Sequence, residues 1–377
     1  MSSSAIHRAT VYQLTTRHAI TDNRILNLMA ETLSDAGYKS TVVGPHHEHF
    51  TFKNVQVIAC PVTKNRNSKW IRYTAPWQLF WFALWNKDGK VFGIHDPDML
   101  KIGLLLKLFG KRVIYDIHDD YEAAMKTRLT RLGKFSAWLI SKVWWGYERS
   151  VSHFFDGITV ADRHLEKKFA WKKPAVLGNA PPLDFTDVAD TANEITFNMI
   201  YVGAVTQGRG ISRVLDALKL LPYKDIRFDI IGNCSDDRIT QQMESDSRVI
   251  YHGRIAWTEL NKYYQKAHLG IAMYQKFPSF YYCTGENAVK IQEYMAAGMA
   301  VLTSNFPGLT KFVKDDQIGL VAQPDDPQAI AEKIKTLYKD RDLLKKLGRN
   351  GRRAFEEKYN WDLHKYKLLN LYSRIRF

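Results

Sequence analysis

The feature that most constrains this chain is an alternation of short apolar runs with amphipathic helical stretches, interrupted once and then begun again. In the first half, residues 10–14, 40–43, 55–58, 91–94, 113–115, 157–160 and 175–177 read as strands. Between the first two, Ile25, Leu28, Met29 and Leu33 recur at helical spacing over residues 24–36 and the pattern stops at Gly37. A loop with Asn179, Pro181 and Pro182 then runs into the acidic, apolar-poor stretch 184–194, which reads as a linker. The pattern resumes with a strand at 198–202, a glycine loop and a helix over 211–221, and further strands are expected at 226–231, 248–252, 269–273, 300–303 and 319–322. Parallel sheets covered by helices follow from this alternation, so the class is α/β. The expectation is two doubly wound domains, 1–183 and 195–360, facing a central ligand cleft at the carboxyl ends of their strands. Residues 361–377 form a closing helix that packs back on the first domain.

Length agrees, because 377 residues exceed the roughly 250–300 at which one core stops growing. Only three cysteines occur, Cys60, Cys234 and Cys283, which points away from a disulfide framework or a zinc site and toward a reducing compartment. The opening residues lack the apolar core of a signal peptide, and the most apolar run, 73–85, falls short of the roughly 18 residues that span a bilayer. A cytoplasmic protein that touches a membrane without crossing it is the resulting expectation.

The net charge of +15 is unevenly spread: residues 1–180 carry 26 Lys and Arg against 15 Asp and Glu, whereas residues 181–377 carry 28 against 24. Residues 125–147 hold Lys126, Arg128, Arg131, Lys134 and Lys142 with no acidic residue, interleaved with Trp138, Trp145 and other apolar side chains. Such a helix, with a second surface at 69–85 carrying Trp81 and Trp85, has the make-up of an interfacial element at an anionic membrane. The alternative is that both apolar arcs pack into a core while their cations face water. A nucleic-acid partner is not expected, since the basic residues interleave with Trp and Leu and no RNA-binding motif occurs.

Two segments carry chemistry. Residues 200–218 run from a strand through Gly203 and Gly208 into a helix, which aims backbone amides and a helix dipole at one spot suited to phosphate, and Arg209 adds a planar cationic fork. An ordinary strand-to-helix turn is the alternative. Residues 285–308 place Lys290 and Glu293 three apart on a helix that ends at Gly298 before a buried strand; the alternative is a solvated surface pair.

Taken with the segments at 230–233, 249–255 (VIYHGRI), 293–301 (EYMAAGMAV), 318–327 (IGLVAQPDDP), 95–100 (HDPDML) and 110–121, the chain resembles the retaining glycosyltransferases of family 4, which have the GT-B fold of two Rossmann-like domains. The resemblance implies that Arg209 and Lys290 hold the donor's diphosphate in place of a metal, and that Gly203, Gly208, Gly253, Arg254 and Ile255 line the donor site. It implies that Glu293 binds the ribose as the second member of the family's paired glutamates. The first member's position is Gly285, with Glu286 one residue later. Two further departures are Arg209 where the family has Lys and the loss of a Pro near Asn287. His118 matches a histidine placed near the transferred sugar, with capping or packing as its alternative, and Asp119 and Asp120 either orient an acceptor hydroxyl or cap the next helix. His18, Asp22 and Arg24 stand where acceptor or diphosphate contacts are made, or else begin a helix. Asp96 and Asp98 flank Pro97 and read as a helix start rather than a metal pair. No cofactor or metal is expected; the implied partners are a UDP- or GDP-linked sugar and a lipid-linked glycan at the inner face of the cell membrane. The alternative functions are a nucleotide-sugar epimerase or hydrolase of the same fold, a sugar-nucleotide sensor and a basic nucleic-acid binder.

Overall fold

The structure is a computed structural model that describes residues 8–46, 48–60, 71–189, 195–281, 285 and 288–375, so Lys69, Cys283, Glu286 and Asn287 lie outside the described residues. The chain divides into two units, one drawing on Met1–Gly178 and Asp362–Phe377 and the other on Asn179–Trp361.

In unit 1, eight strands form one sheet: β1 (Arg8–Leu14), β2 (Tyr38–Pro45), β3 (Phe50–Phe52), β4 (Val55–Cys60), β5 (Gly89–Ile94), β6 (Arg112–Ile117), β7 (Gly157–Val160) and β8 (Ala175–Val176). Their order is β3-β4-β2-β1-β5-β6-β7-β8, and all pairs are parallel except the β3–β4 hairpin. The order reverses at β1, which pairs with both β2 and β5, so the loops after β1 and β5 open side by side at a topological switch point. β3 is absent from the sequence reading, because a three-residue strand leaves no countable alternation. Residues 24–36 differ too. They begin as a π-helix at Asn23–Ala30, capped by the Asp22 carboxylate on the Arg24 and Ile25 amides, and become α1 (Glu31–Asp35) only afterwards.

Four longer helices follow, α2 (Ile71–Trp85), α3 (Leu100–Leu108), α4 (Tyr121–Arg128) and α5 (Lys134–Ser152), then the short α6 (Arg163–Lys168). α3 packs against both α2 and α5. The single interfacial helix expected over 125–147 is broken: a 3-10 turn, Thr130–Leu132, leads to Gly133 at φ 94°, a conformation open to glycine, and α5 starts there. Trp145 also departs from expectation. Its ring is half-buried, packing edge-on against the core residue Phe169 at 5.0 Å under the Lys168 ammonium. Lys142 is ion-paired with Glu122 at 2.6 Å, a carboxylate supplied from α4. Arg131, Lys134, Trp81, Trp85 and Trp138 remain exposed. Among the described residues no helix is long and apolar enough to cross a membrane. The closing helix, Trp361–Ser373, buries Leu368 and Tyr372 in unit 1, where the Tyr372 hydroxyl accepts a bond from Gln13 Nε2 at 3.0 Å.

Unit 2 holds a six-stranded, all-parallel sheet of β9 (Phe197–Val202), β10 (Ile226–Ile231), β11 (Val249–Gly253), β12 (Leu269–Ala272), β13 (Ala300–Ser304) and β14 (Gly319–Ala322), ordered β11-β10-β9-β12-β13-β14. Its helices are α7 (Ile211–Lys219), α8 (Asp237–Glu244), α9 (Asn261–Tyr264), α10 (Pro278–Tyr281), α11 (Val289–Ala296), α12 (Pro307–Asp315), α13 (Pro327–Lys339) and α14 (Arg341–Lys358). Here the order reverses between β9 and β12. Part of the stretch read as a linker belongs to this unit: Phe185 packs on Trp257 at 4.9 Å, and the Ala189 amide donates to the Ala297 carbonyl at 2.8 Å.

Candidate functional site

The unit 2 switch point is where its cations meet. β9 ends at Val202, and Gly203 turns the chain at φ 132°, a region costly for any residue with a Cβ. The loop then forms a 3-10 turn, Gln207–Arg209, and enters α7 through Gly210 at φ 71°. A Cβ at Gly210 would fall 1.9 Å from the Met273 carbonyl oxygen just after β12, so the two loops meet backbone to backbone. Arg209 reaches back over the rings of Phe280 at 4.6 Å and Tyr274 at 5.3 Å. From α11, Lys290 Nζ lies 4.2 Å from the Tyr201 ring centre and 5.4 Å from that of Tyr274. A Cβ at Gly203 would stand 3.2 Å from the same ammonium. Two basic side chains therefore share one aromatic ring beside a glycine turn and the N-terminus of a helix, an arrangement that collects phosphate.

Lys290 and Glu293 are not a solvated pair, for both are buried within a helix whose residues from Lys290 to Ala296 are all buried. Glu293 Oε1 accepts from the Trp257 indole at 3.2 Å and Oε2 from the Tyr264 hydroxyl at 2.9 Å. Burial pushes the Glu293 carboxyl up from its ordinary range, while those two bonds and the Lys290 charge pull it back. Gly253 adopts φ 66° and its carbonyl accepts the Gly232 amide at 2.7 Å. Arg254 after it is exposed and Ile255 packs partly into the core beneath α11. Gly208 anchors the loop through its carbonyl, which accepts from the Gln275 amide at 2.9 Å.

In unit 1, the carboxyl ends of β1, β5 and β6 hold a second polar cluster around the buried Asp116. Arg24 grips that carboxylate with Nε at 2.9 Å and a terminal nitrogen at 2.7 Å, and also donates to the Leu177 carbonyl at 2.6 Å. Its charge is thus spent internally, which removes Arg24 from the expected ligand contacts. Asp116 further accepts from Thr159 at 2.5 Å and lies 2.7 Å from His118 Nε2 and 3.0 Å from His95 Nδ1. Burial would raise the Asp116 carboxyl, but Arg24 and His118 hold it well below the usual carboxylate range. His95, which the sequence reading passed over, is fully buried and is held below its ordinary value by that burial, against the pull of Asp116. His95, Asp116 and His118 bring one nitrogen or oxygen each within 4.8 Å, close enough for a metal, yet Asp116 already has four partners, one of them the Arg24 guanidinium.

The His18 ring lies against that of His118, tilted by 30° with centres 4.3 Å apart, and its Nδ1 lies 3.0 Å from Asp96 Oδ1. Burial lowers His18, but the Asp96 carboxylate outweighs it and the net shift is upward. Asp96 stands at the N-cap of the turn that leads into α3, as expected, but its side chain makes no capping bond and instead accepts from the Thr15 hydroxyl at 2.7 Å and the Thr16 and Arg17 amides at 2.6 and 3.1 Å. Asp98 takes the Thr16 hydroxyl at 2.9 Å and lies 3.3 Å from Arg17 Nε. Both carboxylates hold the loop after β1 in shape. Asp22 and Asp120 fall on their capping alternatives, Asp120 accepting the Ala123 amide at 3.0 Å and pairing with Lys168 and His164, while Asp119 is exposed.

The two sheets with these switch points are those of the GT-B glycosyltransferase fold. Sucrose-phosphate synthase from Thermosynechococcus elongatus superposes with a TM-score of 0.78 at 18% identity, over 97% of this chain and 99% of that one. Anabaena HepE in complex with UDP-glucose gives 0.71 at 13%, over 98% and 100%. Residues 188–354 match the family described as Glycosyl transferases group 1. The capsular polysaccharide biosynthesis glycosyltransferase CapM of Staphylococcus aureus is 26% identical over 178 residues, 46% of this chain and 45% of CapM. The chain spans about half the length of the curated relatives it matches.

Proposed function

We propose that this chain is a retaining glycosyltransferase that moves a sugar from a nucleotide-diphosphate donor to a lipid-linked or membrane-proximal glycan without a metal. The observation that carries the reading is the convergence of Arg209 and Lys290 on Tyr274 beside the Gly203 turn. As the bond between the anomeric carbon and the diphosphate oxygen lengthens, negative charge grows on the leaving group, and fixed cations stabilise that state more than the bound donor. Glu293 is assigned to the ribose, and Gly253, Arg254 and Ile255 to the base. The UDP and UDP-glucose bound to HepE favour a uridine nucleotide, with GDP as the alternative. In unit 1 His118, oriented by Asp116, is the proposed donor of a hydrogen bond to a sugar hydroxyl, with His18 and Asp119 on the acceptor side.

Membrane contact is the second part of the proposal. It places the protein on the inner face of the cell membrane. Trp85 is 75% exposed, Trp81 52%, Phe135 72% and Trp138 44%, in two helices that both contact α3, with Arg131 and Lys134 also exposed. Exposed aromatics flanked by cations suit a lipid headgroup region.

The test is a panel of UDP- and GDP-sugars with lipid-linked acceptors, assayed with EDTA and with added magnesium or manganese. Mass spectrometry should show a one-sugar addition, NMR should show the donor's anomeric configuration kept, and EDTA should leave the rate unchanged. Release of free sugar or an epimer with no acceptor product would replace transfer by the hydrolase or epimerase reading, and a rate abolished by EDTA would refute metal independence.

A further inference from the structure

Glu293 is held in an unusual way for a buried carboxylate. It is 5% exposed, and among the described residues no Lys, Arg or His nitrogen lies within ion-pair distance of it. Its two oxygens are instead taken one each by neutral donors, the indole of Trp257 and the hydroxyl of Tyr264. A buried carboxylate supported mainly by neutral donors is costly, and replacing it with an apolar side chain of like volume would relieve that cost. The donors are themselves fixed. Tyr264 is fully buried, and Phe185 braces both rings, with centroids 4.9 Å from Trp257 and 5.9 Å from Tyr264. Lys290 sits one helical turn away on the same helix, at the glycine turn.

A carboxylate offers about four lone-pair sites, two on each oxygen. With one on each oxygen occupied, one on each is left, and the two remaining sites are separated as the oxygens of the carboxylate are. That is the pattern a pair of vicinal hydroxyls requires. We propose that Trp257 and Tyr264 are positioning residues that orient the Glu293 carboxylate so that it takes both vicinal hydroxyls of the donor ribose. The inference rests on the donor-site reading above and adds to it the source of ribose selectivity.

The experiment compares UDP with 2′,3′-dideoxy-UDP by titration calorimetry on the full chain, with GDP and its dideoxy form run alongside, for wild type, Tyr264→Phe, Trp257→Phe and Glu293→Gln. Wild type should prefer the ribonucleotide. In Tyr264→Phe the preference should fall roughly five- to tenfold, the effect of misplacing one charged hydrogen bond, while affinity for the dideoxy nucleotide stays put. Trp257→Phe, which keeps a ring against Phe185, should do the same, so the inference stays testable if one variant unfolds. A general loosening of the unit would weaken both nucleotides alike. Variants that bind with the wild-type preference overturn the positioning role. A wild type that binds both nucleotides equally, or neither, overturns the Glu293 ribose assignment or the donor site itself.

Discussion

Replacing Lys290 with Met separates the charge of that side chain from its packing. The ammonium lies 4.2 Å from the Tyr201 ring centre and its residue is 8% exposed, so the stem already occupies a site that Met can fill. Losing the cation–ring contacts forfeits about 0.5–2 kcal/mol, offset by no longer burying a charge, so Tm should move by only a few degrees. The diphosphate is another matter. A unit charge about 4 Å away contributes roughly 4 kcal/mol at an effective dielectric of 20, and solvent and neighbouring charges reduce that to about 2–4 kcal/mol. At about 1.4 kcal/mol per tenfold, kcat/KM should fall some 30- to 1000-fold. UDP affinity should fall by a smaller factor, since charge on the leaving oxygen is greater in the transition state than in the bound donor. Initial rates of nucleoside diphosphate release and calorimetric titration with UDP measure the two. A folded Lys290→Met enzyme with kcat/KM within threefold of wild type would refute the diphosphate role. Arg209→Ala should behave alike, and the double variant should lose less than the sum, because both cations face one ring.

Glu148 gives a prediction about pH. Burial pushes its carboxyl up to about 7 despite the 2.8 Å bond from the Tyr115 hydroxyl, so the folded protein binds a proton that the unfolded chain releases near pH 4.5. Stability from this group is therefore full below pH 4.5 and declines as pH rises to about 7, by about 3 kcal/mol; Glu148→Gln should flatten the dependence of Tm on pH over that window, and an unchanged profile would refute it. The membrane proposal predicts that the protein co-sediments with anionic but not neutral vesicles and that salt releases it. Trp81→Ala with Trp85→Ala, or Arg131→Glu with Lys134→Glu, should weaken capture severalfold, whereas Lys142→Glu exchanges one partner of a surface ion pair; equal binding to neutral vesicles would refute the charge argument.

Strands were legible wherever four or more β-branched or aromatic residues lay between turn signals, as at Ile226–Ile231, whose bounds coincide with expectation. β3 was too short, and the π-helical start of Asn23–Ala30 has apolar spacing close to that of an α-helix. For the site, Arg209, Lys290 and Glu293 were visible because a glycine loop and a helix of small residues fix local geometry. Their partners Tyr201, Tyr274, Trp257 and Tyr264 come from other strands and turns, with no local pattern to mark them. Arg24, His95 and Asp116 illustrate the same limit, since 92 residues separate Arg24 from the carboxylate that neutralises it. The contacts of Trp145 and Lys142 were not legible because composition counts aromatics and cations without knowing that Phe169 and Glu122 will meet them.

The closing helix has a consequence for the order of events during synthesis. Tyr372 bonds to Gln13, Gln13 to His95 at 2.9 Å, and His95 to Asp116, so the polar cluster in the first half is completed by a residue made 256 positions after its central carboxylate. Unit 2 is continuous in sequence, so every residue it needs is made before the helix that completes unit 1. Unit 1 must wait with an unfinished hydrogen-bond chain. A purified chain ending at residue 361 should thus keep unit 2 resistant to protease while residues 8–178, which lack the closing helix, are cut.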